Sequence, residues 1–314
     1  MHILMNRIPI VFAFDNNLAF PAAVCIYSLL SSAKSSTAYD IYVLFRKGKP
    51  LNLSLVDKVL KEFPGNTLKT REVDDIFDKS FEIRGITTAA YYRLLIPDMF
   101  PEYDRVIYSD VDVIFRQDLS DVYKMDIGNN LLAGVNNLAH IDCDLKNHYE
   151  GTLGLDSAGI ICSGFLLMNC KAMRQEGLVR EFVELSEKQY KFQDQDILNI
   201  ACAGRISMLE PRYSLLTYII VYSIANGKNS FLPLWTADEI DEALTGGNMH
   251  YNGQKPWKGY CLNFDLWWEY YRKSPVFDED LYFNFFYEKL NEYDRLPLMK
   301  RVKILMRYFL QHSK

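Results

Sequence analysis

The chain has 314 residues, 49% of them apolar and 24% charged, with a net charge of −5. That mixture fits an ordinary globular protein built as one large α/β domain, with or without a C-terminal appendage. The negative balance excludes a global attraction to nucleic acid, so any anion site must be local, and no run of about 18 apolar residues offers a membrane span.

"IPIVFAF" (Ile8–Phe14) is an unbroken apolar run ending in "DNN", which predicts a buried parallel strand. "LAFPAAVCIYSLLSSA" has helical spacing, with Ala22, Ile26, Leu29 and Leu30 on one face. "DIYVLF" (Asp40–Phe45) predicts a second strand, and "LSLVDKVLKEF" a helix with Leu55, Val59 and Phe63 spaced by four. This β-α-β-α alternation argues for a parallel sheet covered by helices, with ligands at the C-terminal ends of the strands. A helix is predicted over Thr87–Phe100, with Tyr92 and Arg93 near its middle. Strands are predicted over Arg105–Ser109, Leu131–Val135 and Gly164–Asn169. Asn136–Ser157 is polar and reads as an irregular, mobile loop. "EGLVREFVELSEKQY" and "DQDILNIACAG" read as helices, and the glycine-rich Thr245–Tyr260 as a loop. No internal repeat is present.

From Arg295 to Lys314 there are six Lys/Arg and no acidic residue. On a helical wheel Leu298, Val302, Leu305, Met306, Phe309 and Leu310 cluster opposite Lys300, Lys303 and Arg307, which makes a basic amphipathic helix. Such a helix either lies on an anionic membrane surface or packs on the domain with a solvated basic face. The six cysteines (Cys25, Cys143, Cys162, Cys170, Cys202, Cys261) form no C-x-x-C pair and read as reduced thiols. With no secretory pattern in "MHILMNRIPIVFAFDNN", the expected location is the cytoplasm.

"RVIYSDVDVIFRQDL" (Arg105–Leu119) carries Asp110 and Asp112 between apolar flanks. Burying carboxylates without a partner is costly. With a turn after the strand the two converge and need a cation between them, and oxygen ligands suit Mg²⁺ or Mn²⁺. Alternatively one aspartate caps the next element and the other is simply exposed. The same D-x-D also mimics the first motif of haloacid-dehalogenase-type phosphohydrolases. There, however, the motif opens the chain, whereas here about a hundred residues precede it and no later "DD" metal pair follows.

Five stretches in order, "AFDNN", "TTAAYYRL", "YSDVDVIF", "FQDQDILN" and "HYNGQKPW", together resemble glycosyltransferase family 8. That group includes bacterial lipooligosaccharide galactosyltransferases and glycogenin, and the resemblance covers roughly Ile8 to Tyr260. It implies a GT-A type fold, a Rossmann-like mixed and mostly parallel sheet flanked by helices. The transferase domain would span residues 1–265, with a helical, basic region over 266–314. It implies a retaining, Mn²⁺-dependent transfer of galactose or glucose from a UDP-sugar to a saccharide acceptor, in lipopolysaccharide or another cell-surface glycan precursor. With the basic tail, that acceptor would be lipid-linked, at the inner face of a bacterial plasma membrane.

The resemblance also implies roles for single residues. Asp110, Asp112 and His250 would hold the metal, although a lone histidine is by itself more often structural. Ala13, Asp15, Asn17, Arg93, Asp110, Val111, Gly253 and Lys255 would bind the donor nucleotide sugar. Of these, Asp15 and Asn17 would read the uracil, Arg93 the sugar, and Gly253 and Lys255 the diphosphate. Read without the resemblance, "DNN" is a helix cap, Arg93 a helix-face ion pair and Lys255 a solvated loop lysine. Asp194 and Gln195 would flank the anomeric carbon as the catalytic pair, while Asp196 anchors its helix. Cys162 stands where the family usually has asparagine, Asn137 where many members have aspartate, and Leu18 where some have an aromatic ring. These departures touch the donor sugar and leave room for a non-catalytic UDP-sugar-binding protein. Self-glucosylation of the glycogenin kind would need an acceptor tyrosine near the site, and the basic tail argues against it.

Overall fold

The computed structural model describes residues 6–77 and 88–312. Ten strands are present among them: β1 Asn6–Ala13, β2 Thr37–Arg46, β3 Thr67–Val73, β4 Val106–Ser109, β5 Val113–Ile114, β6 Leu132–Asn136, β7 Ile161–Met168, β8 Ile206–Leu209, β9 Leu215–Leu216 and β10 Met249–His250. Seven of them form one sheet in the order β3-β2-β1-β4-β7-β6-β8. The pairs β1–β2, β2–β3, β1–β4 and β6–β8 run parallel. β7 alone is reversed, antiparallel to both β4 and β6. The mixed, mostly parallel sheet expected from the sequence is therefore the sheet observed.

The sheet's centre explains the unbroken apolar runs. Ile8, Ile10, Val11 and Phe12 of β1 are fully buried, as are Ile107 and Tyr108 of β4 and Leu166, Leu167 and Met168 of β7. Both faces are covered, so no polar alternation survives. The helix Ala19–Ser31 buries Ala22, Ile26, Leu29 and Leu30, and also Ala23, Val24 and Cys25, so it is enclosed on nearly every side. Its Phe20 ring meets Trp267 and Tyr271 edge-on, with centroids 5.5 and 5.0 Å apart.

Several expectations need correction. In the helix Ser54–Glu62 the buried residues are Val56 and Val59, while Leu55 and Phe63 are only half-buried at its margin. Thr88–Leu95 is wound as a 3-10 helix, followed by a single α turn at Ile96–Met99; Thr87 lies outside the described residues. Five consecutive side chains, Tyr91 to Leu95, are buried, which a one-sided α-helix cannot arrange. Pro97 also removes the N–H that would continue an α ladder. Asn136–Ser157 is not an irregular loop: it carries an α turn at Cys143–Lys146 and a π-helical turn at Asn147–Thr152 with His148 and Tyr149 buried. Thr245–Tyr260 is only partly loop, because the helix Ala237–Gly246 enters it and Met249–His250 forms β10. Between them a Cβ on Gly247 would lie 2.6 Å from the Ala243 carbonyl oxygen, so a close backbone approach fixes that glycine.

β10 pairs antiparallel with β5 (His250 opposite Val113) and parallel with β9. This small second sheet brings residue 250 beside the end of β4. Three helices close the chain, Phe264–Lys273, Glu279–Asp294 and Leu298–His312. The first buries Trp267, Trp268 and Tyr271 in the main core; the second buries no residue fully. In the third, Leu298, Met299, Val302, Leu305 and Met306 are all exposed, so this stretch does not pack its apolar side on the domain. The wheel positions Arg307, Phe309 and Leu310 lie outside the residues whose side chains are described. No helix among the described residues is long and apolar enough to cross a membrane.

Candidate active site

β4 ends at Ser109, and the Asp110 N–H donates to the Gly164 carbonyl at 2.8 Å, the last rung between β4 and β7. Alternation along an extended chain already puts positions 110 and 112 on one side. Val111 takes the other side and is buried in the core. A bend at Val111–Asp112 then brings the carboxylates together, so convergence needs no reversal of the chain. Asp110, Asp112 and His250 offer one ligand atom each, all within 4.8 Å of one another.

Each member of this cluster is held from behind. Asp110 Oδ1 accepts from the Tyr108 hydroxyl at 2.7 Å and from Arg93 Nη2 at 2.8 Å. His250 Nδ1 pairs with the Ser214 hydroxyl at 3.2 Å, and its Nε2 lies 3.3 Å from Asp112 Oδ1. Lys255 Nζ binds Asp112 Oδ2 and donates to the Tyr251 carbonyl at 2.6 Å. Burial pulls the His250 pKa down, but the Asp112 carboxylate more than offsets it and lifts it to about 10. Burial raises Asp112 in turn, and Lys255 and His250 outweigh it, leaving its carboxyl well below the usual range.

Two observations fit a divalent cation here. Asp112 Oδ1 is buried and makes no well-aligned hydrogen bond, although His250 Nε2 lies 3.3 Å away. A Cβ on Gly164 would lie 2.3 Å from His250 Cε1 and 2.8 Å from Asp110 Oδ2, so only glycine leaves the three donors in place. Two carboxylate oxygens and one imidazole nitrogen suit Mn²⁺ or Mg²⁺. The outer hydrogen bonds from Ser214, Tyr108 and Arg93 are the kind that orient metal ligands.

Arg93 is 3% exposed and links this cluster to the other half of the site. Besides Asp110 it reaches the Asp194 carboxylate at 3.1 Å and the Ser163 carbonyl at 2.6 Å, over the Tyr108 ring. It is thus a buried bridge between two carboxylates, not an ion pair on a helix face. Asp194 opens the helix Gln193–Ala201 and accepts from the Ser163 hydroxyl at 2.8 Å. Burial pushes its pKa up to about 6, helped by Asp110 and opposed by Arg93. Gln195 Oε1 accepts from the Ser163 N–H at 3.3 Å, and its Nε2 donates to the Tyr149 hydroxyl at 2.9 Å.

The first strand end is less committed. Asp15 caps the turn Asn16–Leu18, accepting from the Asn17 N–H at 2.9 Å and from its amide at 3.3 Å. Ala13 ends β1, whose parallel pairing with β4 sets the two strand ends side by side. Gly253 is exposed, and a Cβ there would meet nothing within 4 Å. Cys162 is half-buried and raises the His250 pKa, while Asn137 caps its own turn through the Ala139 N–H at 3.0 Å.

Ser163, Gly164, Tyr108, Ser214 and Tyr149 are site residues that the sequence reading missed. Most of their partners lie far along the chain, although Ser163 and Gly164 follow directly on Cys162 and Tyr108 lies two residues before Asp110. Leu138 and Gln193 carry positive φ, 58° and 47°, immediately after Asn137 and immediately before Asp194. Backbone strain of this kind concentrates at functional sites, and no sequence signal marks it.

The family model described as glycosyl transferase family 8 matches residues 9–261. The chain belongs to glycosyl transferase family 8. The phosphohydrolase reading of the D-x-D falls with that membership. A Haemophilus influenzae protein named as a glycosyltransferase is 27% identical over 212 residues, 65% of this chain and 62% of that protein. Glycosyltransferase GlyE of Streptococcus pneumoniae is 26% identical over 255 residues, 77% of this chain and 56% of that protein. The chain therefore spans about three-fifths of the length of these relatives. Among solved structures, galactosyltransferase LgtC in complex with donor and acceptor sugar analogues aligns with a TM-score of 0.73 at 24% identity, covering 87% of this chain and 98% of that one. This likeness shows the fold, which is of the GT-A type.

Proposed function

We propose that this family 8 chain transfers a hexosyl unit, galactose or glucose, from a UDP-sugar to a saccharide acceptor with retention at the anomeric carbon. The observation that carries the reading is the Asp110–Asp112–His250 cluster at the end of β4, joined by Arg93 to Asp194 and flanked by Lys255. The three ligands would hold Mn²⁺ or Mg²⁺, which when bound neutralises charge on a diphosphate leaving group. Lys255 adds a second positive charge to the same group, exchanging Asp112 for a phosphate oxygen. The exposed backbone at Gly253 gives the diphosphate a close approach. We assign the uracil to Ala13, Asp15 and Asn17, whose amide and carboxylate edges match an imide, and a backbone contact to Val111.

At the reacting centre Arg93 holds Asp110 and Asp194 in register. Asp194, with a pKa of about 6, is mostly ionised at neutral pH, and its Oδ2 accepts from both Arg93 and the Ser163 hydroxyl. Gln195 presents an amide, a poor nucleophile. With Gln195 as the nearest candidate on the face where a two-carboxylate retaining hydrolase would carry its nucleophile, covalent attack by the protein is disfavoured in this reading. We favour attack of the acceptor hydroxyl on the same face as the departing phosphate. The C–O bond to UDP breaks, the new C–O bond forms, and the hydroxyl proton passes to the leaving phosphate oxygen.

The acceptor in this reading belongs to lipopolysaccharide or another cell-surface glycan precursor. It is carried on a lipid at the cytoplasmic face of the plasma membrane. Support comes from the tail, where exposed Leu298, Met299, Leu305 and Met306 share a helix with Lys300, Arg301 and Lys303. That pattern suits an anionic bilayer surface. Residues 1–265 would then act as the transferase domain, with 266–314 as the helical attachment region.

The test is UDP release with Mn²⁺ from UDP-galactose, UDP-glucose and UDP-N-acetylhexosamines, on the wild type and Asp112→Asn. Slow hydrolysis of UDP-galactose or UDP-glucose, dependent on Mn²⁺ and lost in the variant, is the expected result. Tight UDP binding without turnover of any donor, with saccharide acceptors supplied, would favour a binding protein, the alternative that Cys162 and Asn137 raise. No UDP binding would overturn the assignment.

A further inference from the structure

One buried assembly has no part in the steps above. Tyr149 is fully buried on the π-helical turn Asn147–Thr152. Its ring lies nearly parallel to Phe192, with centroids 6.2 Å apart and planes 16° apart. Beside it, His148 Nε2 pairs with Asp196 Oδ2 at 2.8 Å, and the same oxygen accepts from the Phe192 N–H at 3.0 Å. Asp196 Oδ1 is buried and has no hydrogen-bond partner of its own. Burial, and then the Asp196 charge, push the Tyr149 phenol far above its ordinary pKa. π-Helical turns are rare and recur at functional sites; this one turns two adjacent rings inward together.

We propose that Tyr149 is a positioning residue that fixes which way round the Gln195 carboxamide sits, holding its oxygen toward Ser163 and the donor sugar. The two ends of a carboxamide have nearly the same shape, so hydrogen-bond partners alone decide between its two orientations. The Ser163 N–H can only donate, and it selects the oxygen at 3.3 Å. A phenol can donate or accept. With the Asp196 carboxylate as neighbour, the phenol proton is drawn toward that charge and a lone pair remains for Gln195 Nε2 at 2.9 Å. Both selections agree, and the shorter contact is the one to the phenol. Asp196, held by His148 and Phe192, thereby sets the polarity of the lock. The inference rests on the glycosyl-transfer reading only in the statement that Gln195 Oε1 faces the sugar.

The test is Tyr149→Phe, which keeps the ring and its stacking and removes only the oxygen. The expected result is a fall in kcat for UDP release of about 10- to 100-fold, as for other misplacements of an active-site group, with the donor KM within about twofold. Adding Tyr149→Phe to Gln195→Ala should cost little more than Gln195→Ala alone, since Tyr149 acts only through that amide. The Gln195 side-chain NH₂ resonance, identified by its loss in Gln195→Glu, should move in Tyr149→Phe while the backbone amide spectrum holds. Asp196→Asn should move the same resonance, and provides the reading should Tyr149→Phe fail to fold. An unmoved resonance, an unchanged kcat or fully additive losses would overturn the proposal. An inactive wild type would overturn the transfer reading alone, because the resonance still reports whether Tyr149 orients the amide.

Discussion

At Gly164 one hydrogen atom in place of a methyl group keeps the candidate metal cluster open. The atoms a Cβ would strike belong to His250 and Asp110, and neither is a flexible side-chain end. His250 is fixed by Ser214 and β10, Asp110 by Arg93 and Tyr108. Gly164→Ala is therefore expected to weaken Mn²⁺ binding by at least about tenfold, comparable to the loss of a ligand's supporting shell. Electron paramagnetic resonance of free Mn²⁺ would measure it, while circular dichroism stays native. Asp194 offers a pH signature. Its folded pKa of about 6 exceeds its ordinary 3.8, so the folded state binds that proton more tightly than the unfolded chain. Its contribution is complete below about pH 4 and is lost as pH rises through about 6. Asp194→Asn removes the titration. The stability of the wild type relative to the variant should fall by about 2 kcal/mol between pH 4 and pH 7, read from urea unfolding in chelator. At this scale the motif-bearing residues Asp110, Asp112, His250 and Lys255 were legible and do converge. Arg93 was legible as important, but its work of joining two carboxylates was not, because Asp194 is far away in sequence and nothing local announces the pairing.

Among the elements, those buried on both faces were the most readable. β1, β2, β4 and the body of β7 are apolar runs whatever their neighbours do. β3 escaped notice because it is half-exposed, and its Lys69, Arg71 and Glu72 interrupt any apolar run, as charges that guard a sheet edge do. β5, β9 and β10 are two residues long, too short for periodicity to register. The 3-10 segment Thr88–Leu95 and the π turn Asn147–Thr152 shared another difficulty. Tertiary partners set their pitch: Arg93 is drawn inward by two carboxylates, His148 and Tyr149 by Asp196 and Gln195. Where local signals govern, they are clear. Thr236 and Glu239 form a reciprocal capping box on Ala237–Gly246, with Thr236 N–H to Glu239 Oε2 at 2.7 Å and Glu239 N–H to Thr236 Oγ1 at 3.3 Å. Thr236→Ala is expected to cost about 1 kcal/mol in chemical unfolding. Its effect on UDP release should be small, since that cap lies at the far end of the helix from β10.

For the whole molecule, the C-terminal helices raise the clearest question of placement. The first is anchored by Trp267, Trp268 and Tyr271, whereas the last shows solvent Leu298 at 73% and Met299 at 80% exposure. Removing Arg295–Lys314 should release the protein from vesicles containing anionic phospholipid and leave UDP release from a soluble donor largely unchanged. Flotation with and without 0.5 M salt, on the order of a 4 Å screening length, would separate charge from apolar insertion. Binding that survives the deletion would sink the attachment model.

The contact between Lys255 and Asp112 spans 143 residues, and β10 reaches β5 across a similar stretch. During synthesis, the paired aspartates emerge from the ribosome long before the histidine and lysine that complete their surroundings. Closing so long a loop is entropically uphill until the small second sheet forms. A partly made chain that has assembled β1, β2 and β4 still lacks His250 and Lys255, so under the proposed function it would have no complete cation site. Under that proposal metal capture would come last in folding, and mass action would then add the ion's binding energy to the stability of the finished domain.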